Sequence, residues 1–126
     1  MDEQYLKNLP KVEVSFQDDF AGSNRELYLT PAYVLRMLKE QGADATIGQT
    51  ILFWEKDEGA DGKQDYICNV GEIVEASADA LKEYEGYGHA VQHKDLVSLS
   101  GRPVVVHIER NSYFRSELNS PIFQTV

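Results

Sequence analysis

The sequence predicts a mainly β (α+β) domain. We expect a small curved antiparallel sheet, or a partly closed β-barrel of about six strands, with a covering helix at 31–41 and a short second helix at 78–85. Three observations predict it. The stretch 46–76, TIGQTILFWEKDEGADGKQDYICNVGEIVEA, reads as two apolar strands joined by an acidic, glycine-punctuated loop and running into a third. A well-signalled amphipathic helix follows Thr30-Pro31. Gly71 interrupts the return strand, and a sheet that bends at glycines tends to close or fold over.

The elements follow in chain order. Tyr5, Leu6 and Leu9 are apolar and suit one helical turn or a frayed terminus, ended by Pro10. In Lys11 to Phe16, Val12, Val14 and Phe16 face one way and Lys11, Glu13 and Ser15 the other, which is the alternation of a half-buried strand. Residues 17–24 hold Asp18, Asp19, Gly22, Ser23 and Asn24 and read as a loop, with Phe20 as an apolar anchor. Arg25 to Leu29 reads as a short strand. Thr30 then serves as N-cap and Pro31 as N1 of the helix. Tyr33, Val34, Met37 and Leu38 share one face, Arg36, Lys39 and Glu40 are on the wet side, and Gly42 terminates the helix.

In the central stretch Ile51 and Phe53 face one way and Leu52 and Trp54 the other, so this strand is expected to be covered on both sides. Asp61-Gly62 signals the turn. Asp65 to Val70 returns, with Tyr66, Cys68 and Val70 on one face, and Glu72 to Ala76 resumes after the expected bend at Gly71. Ser77 caps the short helix, in which Leu81 and Tyr84 share a face, and Gly86 and Gly88 end it. Residues 89–99 are ambiguous between loop and short strand. Ser100 to Pro103 reads as a turn and Val104 to Ile108 as a strong strand. The tail carries Tyr113, Phe114, Leu118, Ile122 and Phe123, too many large apolar groups to lie free in water. It packs on its own domain or on a second copy.

Composition bounds the function. The chain has 126 residues, 42% hydrophobic and 26% charged, which is ordinary for one globular domain spanning 1–126. The net charge of −9, with its cations scattered singly, argues against nucleic acid, whose binding starts with Lys and Arg neutralising phosphates. Such acidity favours solubility and can steer a chain towards a basic partner. No apolar run approaches the ~20 residues needed to cross a bilayer, so no membrane partner is expected. The polar start MDEQYLKN and the single cysteine lead to the expectation of a cytoplasmic protein without a signal peptide or disulfide.

Chemistry-bearing residues are few. His89 and His93 are four apart, and His107 lies on the last strong strand. Together with Asp95 or a glutamate they are the only set with metal-ligand character, although H-x-x-x-H without a flanking Glu is a weak signal. Cys68 sits in an apolar strand, where a cysteine is normally inert packing. The loop from Asp57 to Gly62 resembles the opening of a calcium loop, but Gly59 stands at its third position and Cys68 at its twelfth. Gly86 and Gly88 lack the third glycine of a phosphate cradle. No cofactor is expected.

Aromatic residues offer more. Trp54, Tyr84, Tyr87, Tyr113, Phe114 and Phe123 form the candidate ligand or partner surface, because Tyr and Trp are enriched at interfaces; barrel-end packing is the competing reading. The leading functional expectation is a non-catalytic binding or interaction domain, associating with a protein partner or with itself as a homodimer. The alternative is a small-molecule or metal-binding barrel using His89, His93 and His107. An enzyme would have to rely on Glu55, Cys68 or these histidines, and the expectation leans away from one.

Overall fold

The structure, a computed structural model, describes residues 3–17, 20–21, 26–29, 31–58, 64–78, 98–109, 112–117 and 120–123. The chain is mainly strand. In order, α1 (Glu3–Asn8), β1 (Lys11–Glu13), β2 (Phe20–Ala21), β3 (Glu26–Leu29) and α2 (Pro31–Glu40) precede β4 (Thr50–Glu58) and β5 (Gln64–Glu75). Then come β6 (Ser98–Leu99), β7 (Arg102–Glu109), β8 (Phe114–Glu117) and a 3-10 turn at Pro121–Phe123. The strands build a curled, open, half-barrel sheet in the order β1-β4-β5-β7-β3-β2, with β6 beside β7 and β8 beside β5. The sheet is mixed: β1 lies parallel to β4, with Val12 opposite Phe53, and every other pairing is antiparallel.

Both faces of β4 are covered, as its two-sided apolar centre predicts. Ile51 and Phe53 join Val12, Val14, Ile73, Val104, Val106 and Ile108 in the larger core, which α2 closes with Val34 and Leu38. Leu52 and Cys68 join Leu6 of α1 and Ile122 of the 3-10 turn on the opposite face. The covering helix ends as its sequence predicts. Gly42 takes a φ of 73°, its amide donates to the Lys39 carbonyl, and the Ala43 amide donates to that of Leu38. At the other helix, the Lys11 ammonium donates to the carbonyls of Lys7 (2.8 Å) and Leu9 (2.9 Å), a cation at the negative end of α1.

The expected break at Gly71 is absent. β5 runs unbroken from Gln64 to Glu75, and Gly71 holds register with Ile51 on one side and Ile108 on the other. What changes near Gly71 is the neighbour: residues 65–68 of β5 pair with β8, and residues 71–75 with β7. β7 and β8 are thus two segments along one edge of β5, and the Ser112 amide donates to the Glu109 carbonyl at 3.3 Å between them. Asn69 fills the step between them. It is 1% exposed, and its side-chain Nδ2 donates to the carbonyl of Glu109, the last residue of β7, at 2.7 Å.

At the Ser100 turn, Ser100 and Gly101 both take positive φ (53° and 78°) between paired Leu99 and Arg102, the two-residue hairpin whose twist matches its strands. The Asp61-Gly62 turn, the loop anchor Phe20 and the short helix at 78–85 lie wholly or beyond their first residue outside the residues described in side-chain detail.

Candidate functional site

Two places on the sheet bring polar groups together, and a third gathers aromatic rings. The first lies at the β4–β5 hairpin end. Register aligns Asp57, Asp65 and Glu117 in one line across β4, β5 and β8. Residues directly opposite share a face and repel when alike in charge. Arg115, one pleat further along and opposite Ile67, offsets this: its guanidinium donates to Asp57 and to Asp65, both at 2.8 Å. The hydrogen bond to Asp57, followed by the charge of Asp65, raises its already high pKa. Among the described residues, Glu117 at the end of the line has no cation of its own.

The second place is a shallow cleft of about 240 Å³ on the α1 face, lined by Thr50, Val70, Gly71, Glu72, His107 and Glu109. Thr50, Glu72 and His107 come together because they hold one register across β4, β5 and β7. His107 is the only member of the expected histidine set within the described residues; His89 and His93 lie outside them. No cluster of three or more metal-ligating side chains occurs among the described residues.

The aromatic candidates divide. Trp54, Phe114 and Phe123 are half-buried against the smaller core. Trp54 meets Tyr66 edge-on at 4.9 Å between centroids and Phe123 at 5.9 Å, and Phe123 lies 4.3 Å from Tyr66. Tyr113 belongs to the other face. It is 36% exposed and sets its ring edge-on against Phe16 at 5.0 Å. Tyr84 and Tyr87 lie outside the described residues. Tyr66, a member of the ring cluster, was readable as a strand aromatic facing with Cys68; its meeting with Phe123 depends on the chain's last described turn.

Of the groups an enzyme would have to use, Cys68 and Glu55 are described in detail. Cys68 is fully buried, and burial, with a further contribution from Asp65, pushes its thiol up to about 12. Glu55 accepts a hydrogen bond from the Phe16 amide at 2.8 Å.

The two edges of the sheet near this end differ. On β1, groups pointing away from β4 are taken up by side chains of α2 and of the residue that follows it. The Gln41 amide accepts from the Lys11 N–H at 3.0 Å and donates to the Lys11 carbonyl, and the Tyr33 hydroxyl donates to the Glu13 carbonyl at 2.8 Å. Gln41 thereby occupies the place of a neighbouring strand. β8 pairs with β5 on one side only among the described residues, and β3, which flanks β7, ends at the Glu26–Glu109 register. No helix among the described residues is long and apolar enough to cross a membrane.

The fold and this site define a small, curled, mixed-sheet domain in which side chains close the β1 edge and β8 pairs on its β5 side among the described residues. Compared with known protein families, curated proteins and solved structures, the chain matches none of them.

Proposed function

We propose that this chain is a non-catalytic interaction domain that associates with itself. The observation that carries the reading is the contrast of edges: β1 is closed by Gln41 and Tyr33, whereas β8 carries a strand on its β5 side alone among the described residues. An open strand edge is a template for adding another strand, and sequences that do not use one usually blunt it. Tyr113, exposed at the approach to β8, and the half-buried ring of Phe114 at its start supply aromatic surface beside that edge. Sedimentation equilibrium of the whole chain over a wide concentration range tests the reading. A concentration-dependent dimer supports it, and a monomer at every concentration removes it.

A second reading is favoured by the cleft at His107. Two carboxylates and a hydroxyl around one cleft, with His107 in its lining, suit a small cationic ligand or a divalent metal, and His89 and His93 would have to join for the metal version. Zinc titration followed by the His107 imidazole resonances tests it: specific shifts at stoichiometric metal support it, and unshifted resonances remove it.

A further inference from the structure

We propose that α1 and the 3-10 turn, the first helix and the last described turn, form one lid on the β4–β5 face that opens and closes as a unit while the sheet stays folded. This goes beyond the self-association reading and stands whether or not the chain dimerises.

Three observations carry it. First, the two elements support each other. Leu6 of α1 and Ile122 of the turn are buried in one small cluster with Leu52 and Cys68, and α1 packs on the turn. The six residues of α1 fall well short of the ~12–15 that hold a helix alone, so α1 persists only while Leu6 has its place. Second, the backbone hydrogen bonds described for both elements are local. The Leu9 amide donates to the Leu6 carbonyl at 3.2 Å, the Ser120 amide to the Glu117 carbonyl at 3.0 Å, and the Phe123 amide to the Ser120 carbonyl at 3.1 Å. The cover of the larger core differs, since Tyr33 and Gln41 bond to the backbone of β1 itself. Third, the joint is marked. The Pro10 carbonyl accepts from the Leu52 amide at 2.9 Å and so stays with β4, while Lys11 reaches back from β1 to the carbonyls of Lys7 and Leu9.

Short elements with few buried groups and local bonding lie at the low end of the opening free energies within a fold. α1 swings at Leu9-Pro10, and the Lys11 ammonium, bonded across that joint, fixes the closed angle. The turn follows because Ile122 loses Leu6, and Phe123 then leaves the rings of Trp54 and Tyr66. Opening bares Leu52 and Cys68, both fully buried when the lid is closed, beside those two rings. An apolar, aromatic face is uncovered in this way without unpairing β4 from β5.

Iodoacetamide labelling of Cys68 in the whole chain, read together with amide exchange in urea below the unfolding midpoint, tests the lid. Cys68 should label, and the Leu9 and Phe123 amides should exchange, through one opening with a shallow urea dependence. The amides paired between β4 and β5 should follow only the steep dependence of global unfolding. Leu6→Ala should speed Cys68 labelling roughly tenfold or more and Phe123 exchange by the same factor, and Ile122→Ala should do the same to labelling and to Leu9 exchange. If Leu6→Ala does not fold, Leu6→Val gives a smaller step in the same direction. Lys11→Met, which keeps the stem and removes the donors, should speed labelling and Phe123 exchange together. An α1 that loosens in Leu6→Ala or Leu6→Val while Phe123 keeps its protection overturns the single lid. Cys68 labelling that tracks the β4–β5 amides at every urea concentration overturns opening ahead of the sheet.

Discussion

The ring of Phe53 occupies the space that a side chain on Gly71 would need. A β-carbon at Gly71 would lie 2.6 Å from Phe53 Cε2, 2.6 Å from Ile108 Cγ2 and 2.8 Å from the His107 carbonyl oxygen. All three are far inside van der Waals contact, and the carbonyl belongs to the paired backbone of β7, which cannot step aside without breaking register. Gly71 is thus where the β4 and β7 layers of the core close over β5.

Gly71→Ala is therefore expected to destabilise the fold by about 2–3 kcal/mol, the cost of overpacking a tight core. Urea unfolding measures it as a lower midpoint with an unchanged slope. Phe53→Leu in the Gly71→Ala background should return part of that loss and not all of it, since the His107 carbonyl remains. Full recovery would show that the ring alone sets the constraint.

Asn69 ties β7 to the step in β5 through its bond to the Glu109 carbonyl. Asn69→Ala should cost about 1–3 kcal/mol, the range for stranding a buried partner. Asn69→Asp should cost more at neutral pH, because a buried carboxylate then faces a carbonyl oxygen. The sign with pH follows: the introduced carboxyl is a donor only when protonated, so burial and the carbonyl raise its folded pKa, and the penalty shrinks as pH falls. Unfolding curves of both variants at neutral and acid pH check this, and an Asn69→Asp penalty that grows towards acid pH would contradict it.

Gln41→Ala uncovers the outward edge of β1. Both groups it satisfies can turn to water, so the stability loss should be small, about 0.5–1 kcal/mol. The larger effect is on hydrogen exchange: the Lys11 amide should lose protection while those paired within β4–β5 keep theirs. With its edge uncovered, the variant should also aggregate sooner on heating. An unchanged Lys11 exchange rate would mean that something other than Gln41 shields this edge.

Cys68 should resist alkylation. With its thiol raised from the ordinary 9.0 to about 12, the folded chain holds almost no thiolate near neutral pH, and iodoacetamide should label it only after denaturant is added. The same shift has a stability consequence. Below pH 9 both states keep the proton and nothing changes; above it the unfolded chain ionises first, so stability falls as pH rises towards about 12. Cys68→Ala should lack this alkaline contribution, which unfolding midpoints of the two proteins across that range would reveal.

Local signals in the sequence determined most of the elements. Pro31 opens α2 and Gly42 follows its end because the signals for helix ends are local, and the two-sided apolar run Ile51 to Trp54 marks a strand buried on both faces because side chains alternate. The same alternation placed Tyr66 and Cys68 on one face of β5. Tertiary structure alone decided the rest. Gly71 reads locally as a breaker, yet it continues β5, because what requires a glycine there is the Phe53 ring from the neighbouring strand and the backbone of a third. Residues 114–117 carry no strand period and become β8 only through pairing with Asp65 to Cys68, some fifty positions earlier in the chain. The parallel β1, the closing of its edge by Gln41 thirty residues away, and the charge line ending at Glu117 likewise depend on which segments meet. Periodicity and caps report what a residue does to its own segment; register between distant segments is set by the packing of the whole sheet.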